Sequence, residues 1–148
     1  MVKFYTDSHY NPLTKECTFG LYCPYKNYTY SSHLPNNFRS SLQANIIAIE
    51  RTIQIIQNRL MSSEANGTRF VIYSASVRAV NEWNSESDSD DDDDYDSDDD
   101  DDDIRICWKP WGSKGIQVAH KLSRDLINIW QVTRIFWVCC LICYNDIL

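Results

Sequence analysis

Leu42, Ile46, Ile49, Ile53, Ile56 and Leu60 recur at the spacing of one helix face, which predicts an amphipathic helix from Ser41 to about Leu60 lying on a sheet. Ser40 and Ser41 stand where capping hydroxyls belong. The segments on either side restrict the fold. Before the helix, Val2 to Thr6, Cys17 to Tyr22 and Tyr28 to His33 read as three strands. The turn-prone Asn11-Pro12 and Pro24-Tyr25-Lys26-Asn27 separate them, as in an antiparallel meander. After it, Ser62 to Gly67 is a loop and Arg69 to Ser74 a strand rich in β-branched and aromatic residues. A long helix followed by a parallel strand implies a right-handed crossover. Ser76 to Trp83 reads as a short second helix. Trp108 to Gly115 is basic, aromatic and turn-rich, leading to a helix near Lys121 to Trp130, and Arg134 to Val138 reads as a last strand. The expected fold is α/β, a five-stranded mixed sheet of three antiparallel strands followed by parallel ones, with helices packed on it.

With 148 residues the chain suits one domain with a single core. Its formal charge of −7 misleads, since taking out the thirteen Asp of Asp88 to Asp103 leaves +6. The globular part is therefore mildly basic and suited to nucleic acid, while the tract opposes it. The division expected is 1–84 for the first part of the domain, 85–103 for a disordered acidic insertion, 104–138 for its remainder and 139–148 for a divergent apolar terminus. Met1-Val2-Lys3-Phe4-Tyr5 runs directly into a strand pattern with no secretory leader, so an intracellular location, nucleus or cytoplasm, is expected. Reduced, packed thiols are then expected for the six cysteines, and the sequons at Asn27 and Asn66 go unused. The apolar run Cys139-Cys140-Leu141-Ile142-Cys143 is too short for an ordinary membrane-spanning helix.

An acidic residue at the end of a buried strand is costly unless it meets a cation or hydrogen-bond donors. Asp7, in Phe4-Tyr5-Thr6-Asp7-Ser8, is such a residue, and Phe70-Val71-Ile72-Tyr73-Ser74-Ala75-Ser76 echoes that strand with Ala75 at the acidic position. Four fragments in order resemble the type 1 ribonuclease H domain. Tyr5-Thr6-Asp7-Ser8 resembles its first-strand metal-binding motif, and Gln43-Ala44-Asn45-Ile46-Ile47-Ala48-Ile49 its Ala-Glu-Leu helix motif with Asn45 for the Glu. Ile72-Tyr73-Ser74-Ala75-Ser76 resembles Ile-Tyr-Thr-Asp-Ser, with Ala75 for the third carboxylate. Trp83, Trp108, Trp111, Gly112 and Ser123-Arg124-Asp125-Leu126-Ile127 look like the substrate-gripping handle and the helix after it.

The resemblance implies Mg²⁺-dependent cleavage of RNA in RNA–DNA hybrids, with two ions held by carboxylates. Asp7 is then the retained catalytic and metal-binding residue, and Asn45 and Ala75 mark degenerate positions, so activity is expected to be impaired. Mg²⁺ favours hard anionic oxygens, of which Asn45 and Ala75 supply none. Glu50 does not replace Asn45, because five residues along a helix turn it about 140° away. The family continues past its last strand into a Gly-His-Ser-Gly type loop and a helix bearing a fourth acidic residue. Read with Arg134 to Val138 as that strand, this chain lacks the helix and its C-terminus reads as a truncation or an altered reading of the gene.

Trp108, Lys109, Trp111 and Lys114 are the candidate nucleic-acid-binding residues, with packing beside a turn as the alternative for the two Trp. His9, His33 and His120 show no ligand spacing and read as surface or strand residues. The expected partner is RNA–DNA hybrid or other nucleic acid. The alternative is a non-catalytic interaction protein whose acidic tract holds basic proteins such as histone-like tails.

Ser85, Ser87, Ser89 and Ser97 each precede an acidic residue by three positions, as in acidophilic kinase sites, and phosphorylation there deepens the field. Deleting Asp88 to Asp103 is expected to strengthen hybrid binding. In a fluorescence titration the gain should shrink as salt rises, since the Debye length falls to about 3 Å near 1 M. A gain that persists in high salt would indicate steric blocking instead.

Overall fold

The computed structural model describes residues 1–35, 39–59, 68–86 and 104–127. The elements in chain order are β1 (Val2–Tyr10), β2 (Cys17–Cys23), β3 (Tyr28–Leu34), α1 (Ser41–Arg59), β4 (Phe70–Ser74), α2 (Val77–Glu86) and β5 (Ile104–Trp108). Residues 114–127 are helical and form α3. The sheet has five strands in the order β3-β2-β1-β4-β5. β1 pairs antiparallel with β2, as β2 does with β3, while β1–β4 and β4–β5 are parallel. This is the mixed sheet the sequence predicts.

Local chemistry fixes the ends of the elements. At the start of α1 the Ser40 hydroxyl accepts the Gln43 N–H at 3.2 Å, and Gln43 Oε1 accepts the Arg39 N–H at 2.9 Å, so one first-turn donor and the N–H just ahead of the cap are satisfied. Ser76 does the same for α2, accepting the Ala79 N–H at 3.2 Å. The β1–β2 hairpin turns on Asn11, whose Oδ1 accepts the N–H groups of Leu13 and Thr14. Lys15 completes that turn in the left-handed region at φ 60°.

Strand alternation divides the sheet into two faces. Phe4 on β1, Phe19 and Leu21 on β2, Phe70 and Ile72 on β4 and Ile106 on β5 form one buried cluster with Ala44, Ala48, Ile49 and Ile56 of α1 and Ala79 and Val80 of α2. Helix α3 covers the other face. Its buried stripe is Ile116, Ala119, Ser123 and Ile127, the spacing of one helix side. The contact is close because two glycines allow it. A Cβ on Gly20 would press on the Ala119 carbonyl and the Ser123 nitrogen, and one on Gly115 would enter the Tyr5 ring. Thr18 Oγ–H donates to the Ser123 carbonyl at 2.6 Å across the same seam.

Two sequence expectations change. The fifth strand is Ile104–Trp108, directly after the acidic tract, and Arg134 to Val138 lies outside the described residues. Arg105 interrupts the apolar residues of this strand, whereas Ile135 to Val138 form an unbroken apolar run, so the strand has the weaker signature. The helix that follows starts at 114 rather than near Lys121. Trp108 accordingly closes β5, and Trp111 and Gly112 belong to the connection from β5 to α3. Among the described residues a helix follows β5, and the expected absence of a helix after Arg134 to Val138 falls outside them. Trp83 is half-buried against the α1–sheet cluster.

Gly20→Ala should lower stability by about 1–3 kcal/mol or more, the cost of overpacking a close contact. Urea denaturation should show a lower midpoint at unchanged slope, and an unchanged midpoint would contradict the close approach of α3.

Candidate functional site

In the β1–β2 register Asp7 lies opposite Gly20 and Tyr5 opposite Tyr22. Asp7 therefore points to the α3 face, at the place where the missing Cβ of Gly20 lets the helix descend. One turn of α3 separates the inward Ile116 from His120, and His120 Nδ1 meets Asp7 Oδ2 at 2.7 Å. Asp7 is only 5% exposed. The imidazole is held on a second side by Trp111, whose ring centroid lies 4.2 Å away in an edge-to-face arrangement. His120, read from sequence as a surface or strand residue, is thus a helical residue in the site. Its partner stands 113 positions away in sequence, and no local pattern reports such a contact. The only signal was its place one residue past Ala119 on the inward side of an amphipathic helix.

Burial pushes the Asp7 carboxyl above its ordinary value, against the hydrogen bond and charge of His120 and a hydrogen bond from the Ser8 backbone, which pull it down. Desolvation wins because the carboxylate has so little water contact. His9, two residues on and on the same strand face, is shifted down, first by burial and then by the charges of Arg124 and His120, with Asp7 opposing. Arg124 is one helical turn beyond His120, so Asp7 and His9 on the strand face His120 and Arg124 on the helix.

The remaining expected positions lie on other elements. Ala75 follows the end of β4, and its carbonyl accepts the Trp108 Nε1–H at 3.3 Å. Asn45 lies on α1, where its Nδ2 donates to the Ser41 carbonyl at 2.9 Å and its buried Oδ1 has no hydrogen-bond partner. Glu50 Oε1 accepts the Gln54 side-chain N–H at 3.2 Å. Among the described residues, no group of three or more His, Cys, Asp or Glu side chains is placed to hold a metal. The donor set does not fit a pair of Mg²⁺ ions, which need several anionic oxygens: Asp7 spends one oxygen on His120, Asn45 offers a neutral amide and Ala75 no side-chain donor.

The four candidate nucleic-acid residues run from the end of β5 to the start of α3. Trp108 and Trp111 are 49% and 52% exposed, and each also has a packing contact, with the Ala75 carbonyl and the His120 ring. Lys109 Nζ sits 4.4 Å from the centre of the Tyr73 ring, itself stacked on Tyr5 at 5.3 Å. Lys114 is exposed at the start of α3. Cys17 and Cys23 are buried free thiols, and burial pushes Cys17 up to about 12, so neither is a nucleophile. Among the described residues, no helix is long and apolar enough to cross a membrane.

No family model matches the chain, and no curated protein does. Among solved structures it is similar to LC11-RNase H1 in complex with an RNA/DNA hybrid, with a TM-score of 0.56 and 9% identity, over 86% of this chain and 99% of that one. The chain has the ribonuclease H-like fold.

The shift at Asp7 sets a pH dependence. A carboxyl whose native pKa is raised above the unfolded value near 3.8 contributes stability that is full below that value and lost as pH rises through the native pKa. The stability of the protein minus that of an Asp7→Asn variant should therefore fall as pH rises from about 4. Urea titrations at stepped pH test this, and a difference that grows with pH would mean the His120 bond outweighs burial.

Proposed function

We propose that this ribonuclease H-like chain binds nucleic acid, RNA–DNA hybrid included, without efficient cleavage. The observation that carries the reading is the 2.7 Å bond between Asp7 Oδ2 and His120 Nδ1. In the family reaction implied by the sequence resemblance, carboxylates hold two divalent ions that activate water and stabilise the leaving oxygen. Here the first-strand carboxylate is engaged by an imidazole from α3, the helix that follows β5. Asn45 and Ala75 stand at the other two expected positions, so a two-ion site has no anionic cage.

Binding requires less. Arg105, Lys109 and Lys114 supply cations on the same stretch of chain as the half-exposed Trp108 and Trp111, and phosphate neutralisation by such residues supports affinity without chemistry. LC11-RNase H1 was crystallised with an RNA/DNA hybrid, and the shared fold makes that duplex the first ligand to try.

The test is a labelled hybrid followed in one sample for binding, by anisotropy, and for cleavage, on a denaturing gel. Binding is expected at equal strength in Mg²⁺ and in chelator, with no cleavage. Asn45→Glu, Ala75→Asp and His120→Asp combined should introduce Mg²⁺-dependent cleavage if these positions converge. Clear cleavage by the unaltered chain, abolished by Asp7→Ala, would overturn the reading.

A further inference from the structure

At the β3 edge of the sheet, between that strand and the second half of α1, lies a cavity of about 390 Å³. Small-molecule pockets run from roughly 300 to 1,000 Å³. Phe19, Tyr30 and Ser32 line it from the sheet, and Arg51, Gln54 and Asn58 from the helix. In the strand register Phe19 is opposite Ser32 and Leu21 opposite Tyr30, which puts these side chains on the α1 face, across the sheet from Asp7 and His120. The lining is not what packing alone selects. Positions 51, 54 and 58 share one side of α1, beside its buried Ala48, Thr52 and Ile56, where a helix on a sheet gains most from apolar side chains. They carry a cation and two amides instead.

Arg51 Nη1 donates to Gln54 Oε1 at 3.0 Å, and Gln54 Nε2 donates to Glu50 Oε1 at 3.2 Å. That relay orients the guanidinium and leaves it further N–H donors. Arg51 is exposed, whereas Phe19 is buried and Tyr30 half-buried, so the charge stands at the mouth of the cavity and the rings at its floor. The two rings are 5.7 Å apart with 51° between their planes, an apolar corner that accepts a flat group. Ser32 donates its O–H to the His33 carbonyl at 3.0 Å, so its oxygen keeps acceptor capacity for a ligand N–H. None of the described lining residues is acidic.

We propose that this cavity binds a nucleoside monophosphate unit, with the base in the Phe19–Tyr30 corner and the phosphate on Arg51. An oriented guanidinium with open donors suits phosphate oxygens, and aromatic walls take a base of any identity because every base has a π-face. Ser32 and Asn58 add polar partners for the base edge. A free nucleotide and the phosphorylated end of a strand present this same chemistry. The inference stands on the cavity by itself and does not depend on the reading of the Asp7–His120 side.

The experiment titrates the isotope-labelled full chain with AMP, and separately with adenosine and with inorganic phosphate, following backbone amide signals by NMR. AMP should bind saturably and move the signals of Ser32, Arg51 and Asn58. Adenosine and phosphate should each bind roughly tenfold or more weakly, since each uses half of the site. Arg51→Gln should weaken AMP binding roughly 10- to 150-fold, the loss of hydrogen bonds to a charged group, and leave adenosine binding unchanged, with Arg51→Lys restoring part of the loss. Arg51 is exposed, and far-UV circular dichroism confirms that its variants are folded. A terminally phosphorylated oligo(dA) that displaces AMP would support the proposal with a strand end as the source, and AMP binding without displacement would support it with the free nucleotide. Absence of saturable binding by both AMP and the oligonucleotide would overturn it. So would phosphate binding as tightly as AMP, or AMP binding indifferent to Arg51→Gln.

Discussion

The approach of α3 to the sheet at Gly20 is the constraint on which the site depends. Helix and strand backbones meet where a single Cβ would collide with the Ala119 carbonyl, and a contact this tight sets both the height and the rotation of the helix. With Ala119 seated on Gly20, His120 is turned toward the neighbouring strand, where Asp7 is the register partner of Gly20. Thr18 and Ser123 lock the same seam one step along. Backbone packing determines which side chain Asp7 meets.

What Asp7 meets determines what the site can do. A carboxylate this buried needs a compensating charge or donors, and in a metal enzyme the ion supplies it. His120 takes that role here with one hydrogen bond, and Trp111 closes over the far side of the imidazole. Burial still pushes the carboxyl up despite this partner, so one imidazole compensates the carboxylate only in part. The cost stays local because β1 is paired with β4 from Val2 to Thr6 and with β2 from Tyr5 to Tyr10, which holds the strand on either side of Asp7.

Much of the fold was legible in the sequence because its signals are periodic. The helix face of Leu42, Ile46, Ile49, Ile53 and Ile56 and the alternation in the first four strands set α1 and β1 to β4 to within a few residues. β5 was not legible. Five residues with Arg105 in their midst, abutting thirteen Asp, give less pattern than Arg134 to Val138, and the choice of the later run displaced the helix that follows. That displacement hid His120 and cast the Trp108–Trp111 connection as a handle. Asp7 was legible because a buried strand-end acid is costly. Its partner was not, because pairing across 113 residues depends on Gly20, whose significance appears only once α3 rests on it.

Shared architecture at 9% identity shows how little of the sequence such a fold demands. Alternation, one long amphipathic helix and small residues at close contacts suffice for the backbone, and none of these specifies a ligand. Function is a property of the few side chains that the backbone aims at one place. Here those are an acid joined to an imidazole and two half-exposed indoles. In the first arrangement burial and an imidazole from α3 together set the state of the Asp7 carboxyl, and among the described residues no group of three or more His, Cys, Asp or Glu side chains is placed to hold a metal. In the second, the Ala75 carbonyl orients Trp108 and the His120 ring orients Trp111, so the same few contacts that hold the site also set the indoles at its margins.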